Sequence, residues 1–182
     1  MFCLIILVSL LPLMNIRDVI IIGAGPSGLF VALQLPSHLS VLILEKSEKA
    51  AQKLLMSAKG RGNLTNADIN PLQDYVSDDS SFVQQAFNQY SNTDFLNFLT
   101  SQNIEYIQEE NGRILLKSGK VSQFQESLLQ QLEKKGVKIG YGQELLTLQK
   151  TGDKTFLIQT TTDTFNASKV ILATGTKSIP KL

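Results

Sequence analysis

Residues 18–46 read DVIIIGAGPSGLFVALQLPSHLSVLILEK, and this stretch decides the fold. Val19, Ile20, Ile21 and Ile22 form an apolar, β-branched run suited to a strand buried on both faces, and it breaks into Gly23-Ala24-Gly25-Pro26-Ser27-Gly28. That is a G-x-G-x-x-G arrangement. In it Gly23 permits a tight turn, Gly25 lets a pyrophosphate approach the backbone, and Gly28 lets the next helix pack close to the strand. The helix opening near Pro26 presents free N–H groups to an anion. Helical spacing runs from Gly28 to Leu35, Pro36-Ser37-His38 turns the chain, and Val41-Leu42-Ile43-Leu44 makes a second strand. Glu45 closes that strand about 20 residues past the glycines, where a carboxylate accepts hydrogen bonds from ribose hydroxyls. A glycine triplet alone is weak evidence, but strand, helix and acid all agree on a βαβ unit that binds the ADP part of a dinucleotide. The acid would repel a 2′-phosphate, which favours FAD or NAD over NADP.

The 182 residues suffice for one domain with a sizeable core. Lys+Arg 17 against Asp+Glu 16 leaves the chain near neutrality, so no global charge points to a nucleic acid or an anionic membrane. The single cysteine, Cys3, excludes an internal disulfide framework and fits a reducing, cytoplasmic setting. No His/Cys cluster suggests a metal, and the one histidine, His38, reads as a surface turn residue. The first fourteen residues, MFCLIILVSLLPLM, are apolar, short for a bilayer span and without the basic start of a secretory signal. They read as an extension outside the fold, with a membrane anchor as the alternative, and residues 15–182 read as the dinucleotide-binding domain.

Downstream, residues 47–56 suit a short helix, and Ser57-Ala58-Lys59-Gly60-Arg61-Gly62-Asn63-Leu64-Thr65-Asn66 reads as a donor-rich loop, fit for a phosphate or flavin edge or else simply solvated. Residues 67–80 are polar and turn-rich. Phe82, Val83, Phe87, Phe95, Leu96, Phe98 and Leu99 recur at helical spacing over 81–90 and 93–102 and are expected in the core rather than at a cofactor. Residues 104–107 and 113–116 form a hairpin whose tip, Glu109-Glu110-Asn111-Gly112, is expected to be solvated rather than catalytic. An amphipathic helix follows with Val121, Phe124, Leu128, Leu129 and Leu132 inward and Gly136 as its stop. Residues 137–141 read as a third strand of the main sheet. Residues 145–148, 155–160 and 163–167 read as a three-stranded antiparallel layer, and Lys169-Val170-Ile171-Leu172-Ala173-Thr174-Gly175 as a further buried strand.

This order resembles the flavoproteins of the glutathione-reductase class: an α/β, Rossmann-like FAD-binding domain with a parallel sheet, an antiparallel β-layer crossover and an inserted helical and hairpin segment. Lys53-Leu54-Leu55-Met56-Ser57 with Gly60-Arg61-Gly62-Asn63-Leu64-Thr65-Asn66 resembles the KLLxSGxGRCNLTN signature of the HI0933-like (YhiN/BaiN-type) NAD(P)/FAD-dependent oxidoreductases. The segments from Gly112-Arg113 to Ser118-Gly119-Lys120 and Ala173-Thr174-Gly175-Thr176-Lys177-Ser178-Ile179-Pro180 are similar to that family's GRxFPxSGKA and ATGGxSxP. The resemblance covers residues 16–182 but only the first half of the family's length. It implies that Gly23, Ala24, Gly25, Pro26, Ser27 and Gly28 hold the pyrophosphate and Glu45 the ribose. Lys46 would lie beside the adenosine, Leu145 would offer its backbone to the adenine, Arg61, Asn63 and Leu64 would approach the flavin, and Ala173, Thr174 and Gly175 would line the dinucleotide.

The implied activity is hydride transfer through FAD, with NAD(P)H as electron donor and a small molecule or an RNA base as the substrate left open. No catalytic acid or base is nominated, because the flavin carries the chemistry. Four departures stand out: Ala58 for glycine, Gly62 for cysteine, Leu115-Leu116 for Phe-Pro and Thr176 for glycine. With the early end of the chain they imply a truncated product, and an inactive ADP- or FAD-binding fragment is the alternative function. A stand-alone NAD-binding protein is the third, against which the GRGNLTN segment argues.

Overall fold

The computed structural model describes residues 16–56, 60–151 and 154–175. The apolar extension, Cys3, Ala58 and Thr176 lie outside them. The chain divides into two compact units, one made of residues up to Ala50 and from Gln130 onward, the other of Ala51–Leu129.

The first unit is built on β1 (Arg17–Ile22), whose last four residues are buried because apolar side chains meet both faces of the strand. Helix α1 (Pro26–Gln34) crosses to β2 (Val41–Leu44), which lies parallel to β1 with Val19 opposite Val41. A strand β6 (Lys138–Gly140) continues the parallel set on the far side of β2. β7 (Leu145–Thr151), β8 (Thr155–Thr160) and β9 (Thr164–Leu172) follow as an antiparallel meander. The sheet order is β6-β2-β1-β9-β8-β7.

β9 corrects the expectation of two separate strands over 163–175. It is one strand of nine residues, antiparallel to β8 through residues 164–167 and parallel to β1 through Ala167–Leu172. Nor is it fully buried. Lys169 is exposed and Leu172 is 62% exposed, so the apolar run reports capacity for burial rather than a covering layer.

One face of the sheet gathers Ile20, Ile22, Leu42 and Leu44 against Ile158 and Ala167, with Leu145, Leu148, Phe156 and Phe165 packed around them. By strand alternation Val19, Ile21 and Ile43 point to the other face, where α1 buries Leu29 and Ala32. Burial of each larger side chain here is worth about 1.5–3 kcal/mol. Lys135 Nζ donates to the Leu33 carbonyl in the last turn of α1, a favourable position for a cation, although burial lowers the Lys135 pKa.

In the second unit α2 (Gln52–Leu55) is a single turn, shorter than the helix expected over 47–56. β3 (Asn63–Asn66), β5 (Arg113–Leu116) and β4 (Tyr106–Gln108) make an antiparallel sheet in that order. Helices α3 (Ser80–Gln89) and α4 (Asn92–Ser101) lie between β3 and β4 in sequence. Asp79 caps the first through Ser81 N–H, and Ser91 with Asp94 forms a capping box on the second. Of the seven apolar residues expected in the core, only Leu99 is buried, and α3 buries none. Phe82 is 68% exposed, while Phe87 meets Tyr75 edge-on with 5.5 Å between ring centres. Amphipathic spacing identifies the apolar side of a helix but does not supply an element to cover it.

Helix α5 (Val121–Lys134) begins in the second unit and ends in the first, with Val121, Phe124, Leu128 and Leu132 buried and Leu129 half-buried. It stops in a Schellman motif. Val137 N–H donates to Leu132 O and Gly136 N–H to Glu133 O, with Gly136 at φ +79° as that turn requires.

Candidate functional site

Because β1, β2, β6 and β9 are mutually parallel, their carboxyl ends share one edge of the sheet. Chain order reverses there between β1 and β9, the switch point at which open α/β sheets bind ligands. The residues arriving at this edge are Gly23 after β1, Glu45 after β2, Tyr141 after β6 and Ala173 after β9.

The three glycines of the turn separate into two kinds. Gly23 sits at φ +108°, and a Cβ there would lie 2.5 Å from the Ala173 oxygen. At Gly28 a Cβ would overlap the Gly23 carbonyl oxygen and sit 3.4 Å from Ala173 Cβ. These two are required by the protein's own packing. At Gly25 a Cβ would meet nothing within 4 Å, so the space before it belongs to no part of the described chain. Gly25 is also the N-cap residue of α1, its N-terminus takes no side-chain cap, Pro26 starts the helix, and its first turn carries no acid. The local field therefore favours an anion.

Glu45 is half-buried at the end of β2. Its Oε2 accepts from Ala24 N–H at 2.7 Å and its Oε1 from Ser47 N–H at 2.9 Å. An ionised carboxylate has about four acceptor positions, so these two bonds leave capacity for hydroxyl donors. Gly23 N–H donates to Leu44 O at 2.7 Å and Ala173 N–H to Ile22 O at 2.8 Å, which pins the glycine turn to both neighbouring strand ends. Lys46 is exposed beside Glu45, and Ser27 is exposed at the start of α1. Ala173 is half-buried, while Thr174 and Gly175 are exposed, with Gly175 at φ +73°. Leu145 opens β7 opposite Thr160, its side chain against the sheet core. The first unit thus brings together the glycine turn, Glu45 and residues 173–175.

Arg61, Asn63 and Leu64 belong to the second unit. The segment expected as a loop is partly a strand: Asn63 pairs with Leu115 and Asn66 with Arg113 in β5. Asn66 Nδ2 donates to Asn111 O at 3.1 Å, and Asn92 Nδ2 donates to the carbonyls of Asn66 and Ala67 at 3.0 Å each. The Asn66 amide donor is therefore used to tie β3 to the hairpin, and the carbonyls of Asn66 and Ala67 to receive α4. The hairpin tip also differs from expectation. Glu110 is exposed, but the Glu109 carboxylate is only 28% exposed and bridges Arg113 at 2.7 Å and Arg61 at 3.4 Å.

Sequence reasoning missed Ser47, whose N–H orients Glu45, and the 141–144 loop, which is hydrogen-bonded to the same segment. The signal available was topological, since any residue following a parallel strand of this sheet arrives at the ligand edge.

The HI0933-like protein Rossmann domain family matches residues 17–182. The chain belongs to this family. It is 34% identical over 167 residues to the ribosomal RNA dihydrouridine synthase of Haemophilus influenzae, covering 90% of this chain and 41% of that protein. It is 31% identical over 165 residues to the 3-dehydro-bile acid delta(4,6)-reductase of Clostridium scindens, covering 89% and 40% respectively. Among solved structures, the 3-ketosteroid-delta4-(5alpha)-dehydrogenase of Rhodococcus jostii superposes with a TM-score of 0.64 at 13% identity, over 93% of this chain and 48% of that one, a likeness of fold. The HI0933-like chain described here spans about two fifths of the length of the curated relatives it matches. Among its described residues no helix is long and apolar enough to cross a membrane.

Proposed function

We propose that the chain is the FAD-binding part of a flavin-dependent oxidoreductase and that the ADP moiety of the cofactor lies at the carboxyl edge of the parallel strands. The observation that carries this is the open space before Gly25, in a turn whose other two glycines are filled by the protein's own backbone. The residues present fit such a group. A pyrophosphate in that space meets the uncapped N-terminus of α1, and a ribose beside it meets the remaining acceptor positions of Glu45. Lys46 flanks the adenosine, the Leu145 backbone faces the base, and Ala173, Thr174 and Gly175 line the dinucleotide from the neighbouring strand. When bound, the flavin supplies the hydride chemistry, and this chain's residues bind and orient it. NAD(P)H is the proposed electron donor. The names of the relatives, a dihydrouridine synthase and a bile acid reductase, support a reduction as the overall reaction. A net charge of +1 gives no preference between an RNA base and a small molecule as substrate.

A second reading, an ADP-binding module without activity of its own, rests on the same site, since the glycine turn, Glu45 and residues 173–175 all lie within one compact unit. The absorbance spectrum of the purified 182-residue chain separates the two. A stoichiometric flavin band supports the first. Colourless, folded protein that binds ADP supports the second, and failure to bind either ligand overturns both.

A further inference from the structure

We infer that Tyr141 forms the base-facing wall of the nucleotide site, its ring packing against the adenine of a bound ADP moiety. This rests on the ADP-site reading above and adds a residue to it. Tyr141 follows β6, so it emerges at the same sheet edge as Gly23 and Glu45. Backbone hydrogen bonds bracket it against the segment that carries the ribose carboxylate. Glu45 N–H donates to Gly140 O at 2.8 Å, Gln143 N–H donates to Glu45 O at 2.8 Å, and Gly142 N–H donates to Ser47 O at 3.4 Å.

The loop is braced from its other side as well. Gln143 Oε1 accepts from the hydroxyls of Thr160 at 2.6 Å and Thr162 at 2.8 Å. Thr161 N–H donates to Glu144 O at 3.0 Å, and its hydroxyl donates to Gly142 O at 3.2 Å. A short loop held on both sides presents its side chain in a defined place. On it Tyr141 is 40% exposed, so its ring is not consumed by the core. Burial raises the hydroxyl pKa above its ordinary value of 10, and the Glu45 charge adds to that rise, so the side chain is neutral at physiological pH and close enough to the carboxylate to feel it.

The adenine of ADP is joined to the very ribose whose hydroxyls Glu45 is placed to accept from, so the base must lie within one sugar of that carboxylate. An aromatic ring offers it a stacking surface that tolerates base identity, and the sugar contacts then fix where the base sits. The plain alternative is a turn residue between Gly140 and Gly142 with no ligand. Of the four tyrosines, Tyr141 is the one that belongs to the same unit as the glycine turn and Glu45.

The test titrates ADP into the full 182-residue chain, reading affinity by calorimetry and the adenine H2 and H8 protons by NMR. Wild type and Tyr141→Phe are expected to bind alike and to move both protons upfield by the ring current. Tyr141→Leu, close in size but not aromatic, is expected to weaken ADP about tenfold and to lose the upfield shift, with its circular dichroism unchanged. Wild-type affinity and shift in Tyr141→Leu overturn the inference while leaving the ADP site in place. Folded wild type that binds no ADP overturns the ADP site itself, and the inference with it.

Discussion

The Glu45 carboxylate accepts a hydrogen bond from the Ala24 N–H at 2.7 Å, which joins the end of β2 to the middle of the glycine turn 21 residues earlier in the chain. With Ser47 N–H on its second oxygen, the carboxylate is oriented by the backbone before any ligand arrives. Glu45→Gln has one acceptor oxygen where two N–H groups need one each. It is expected to lower stability by about 1 kcal/mol and ADP affinity about tenfold. Denaturant titration and calorimetry check the two effects, and wild-type values for both would remove Glu45 from the site.

The glycines of the turn differ in what a methyl group would meet. Gly25→Ala places it in open space and is expected to cost about 1 kcal/mol or less of stability while abolishing ADP binding, because the pyrophosphate loses its approach. Gly28→Ala drives it into the Gly23 carbonyl and is expected to cost about 3 kcal/mol with or without a ligand. Melting curves recorded with and without ADP distinguish these outcomes. If Gly25→Ala binds ADP normally, the open space is not the pyrophosphate site.

At the other end of β1, Asp18 and Ser40 lock the two strands. Ser40 N–H and Ser40 Oγ each donate to Asp18 Oδ2 at 2.7 Å. The Ser40 hydroxyl, then its backbone N–H, holds the Asp18 carboxyl below its ordinary pKa of 3.8. A depressed folded pKa means that this group's contribution to stability is fully present above 3.8 and is lost as pH falls through the lower, folded value. The difference in melting temperature between wild type and Asp18→Asn should therefore be constant at neutral pH and shrink below about pH 4. A difference that grew on acidification would contradict the assignment.

The departure from the family pattern at residue 62 is matched by its neighbours. Gly62 is buried at φ +74°, and a Cβ there would lie 3.0 Å from Leu116 Cδ1 and 3.2 Å from Val121 Cγ2. The family pattern has cysteine, proline and alanine at positions 62, 116 and 121, where this chain has glycine, leucine and valine, and here the Leu116 and Val121 side chains fill the space beside Gly62. Gly62→Cys is expected to cost about 2 kcal/mol, from the left-handed backbone and the overpacking together. Adding Val121→Ala should recover part of that cost, with a coupling of at least about 0.5 kcal/mol in a double-mutant cycle. Strict additivity would show that positions 62 and 121 are not coupled by packing.

The sequence carried the βαβ unit, the strand boundaries of β2 and β8, the hairpin and the inward face of α5, because each depends on local periodicity or on a turn that only glycine or proline can make. It also placed Glu45 at the correct distance from the glycines. It could not assign burial to α3, where Phe82 is apolar and exposed, nor the role of Glu109, whose partner Arg61 is 48 residues away. The single strand β9 was out of reach for the same reason, since its two halves differ only in which neighbour they pair with.

By itself, then, the sequence determined that residues 18–46 form a glycine-rich turn and helix between two parallel strands, since strand, glycines, helix and acid are all written within one short segment. Only the tertiary structure decided that Gly25, of the three glycines, faces open space, that Glu45 is oriented by Ala24, and that Tyr141 is braced beside them. These are relations between residues far apart in the chain, and they exist only once parallel strands bring their carboxyl ends to one edge.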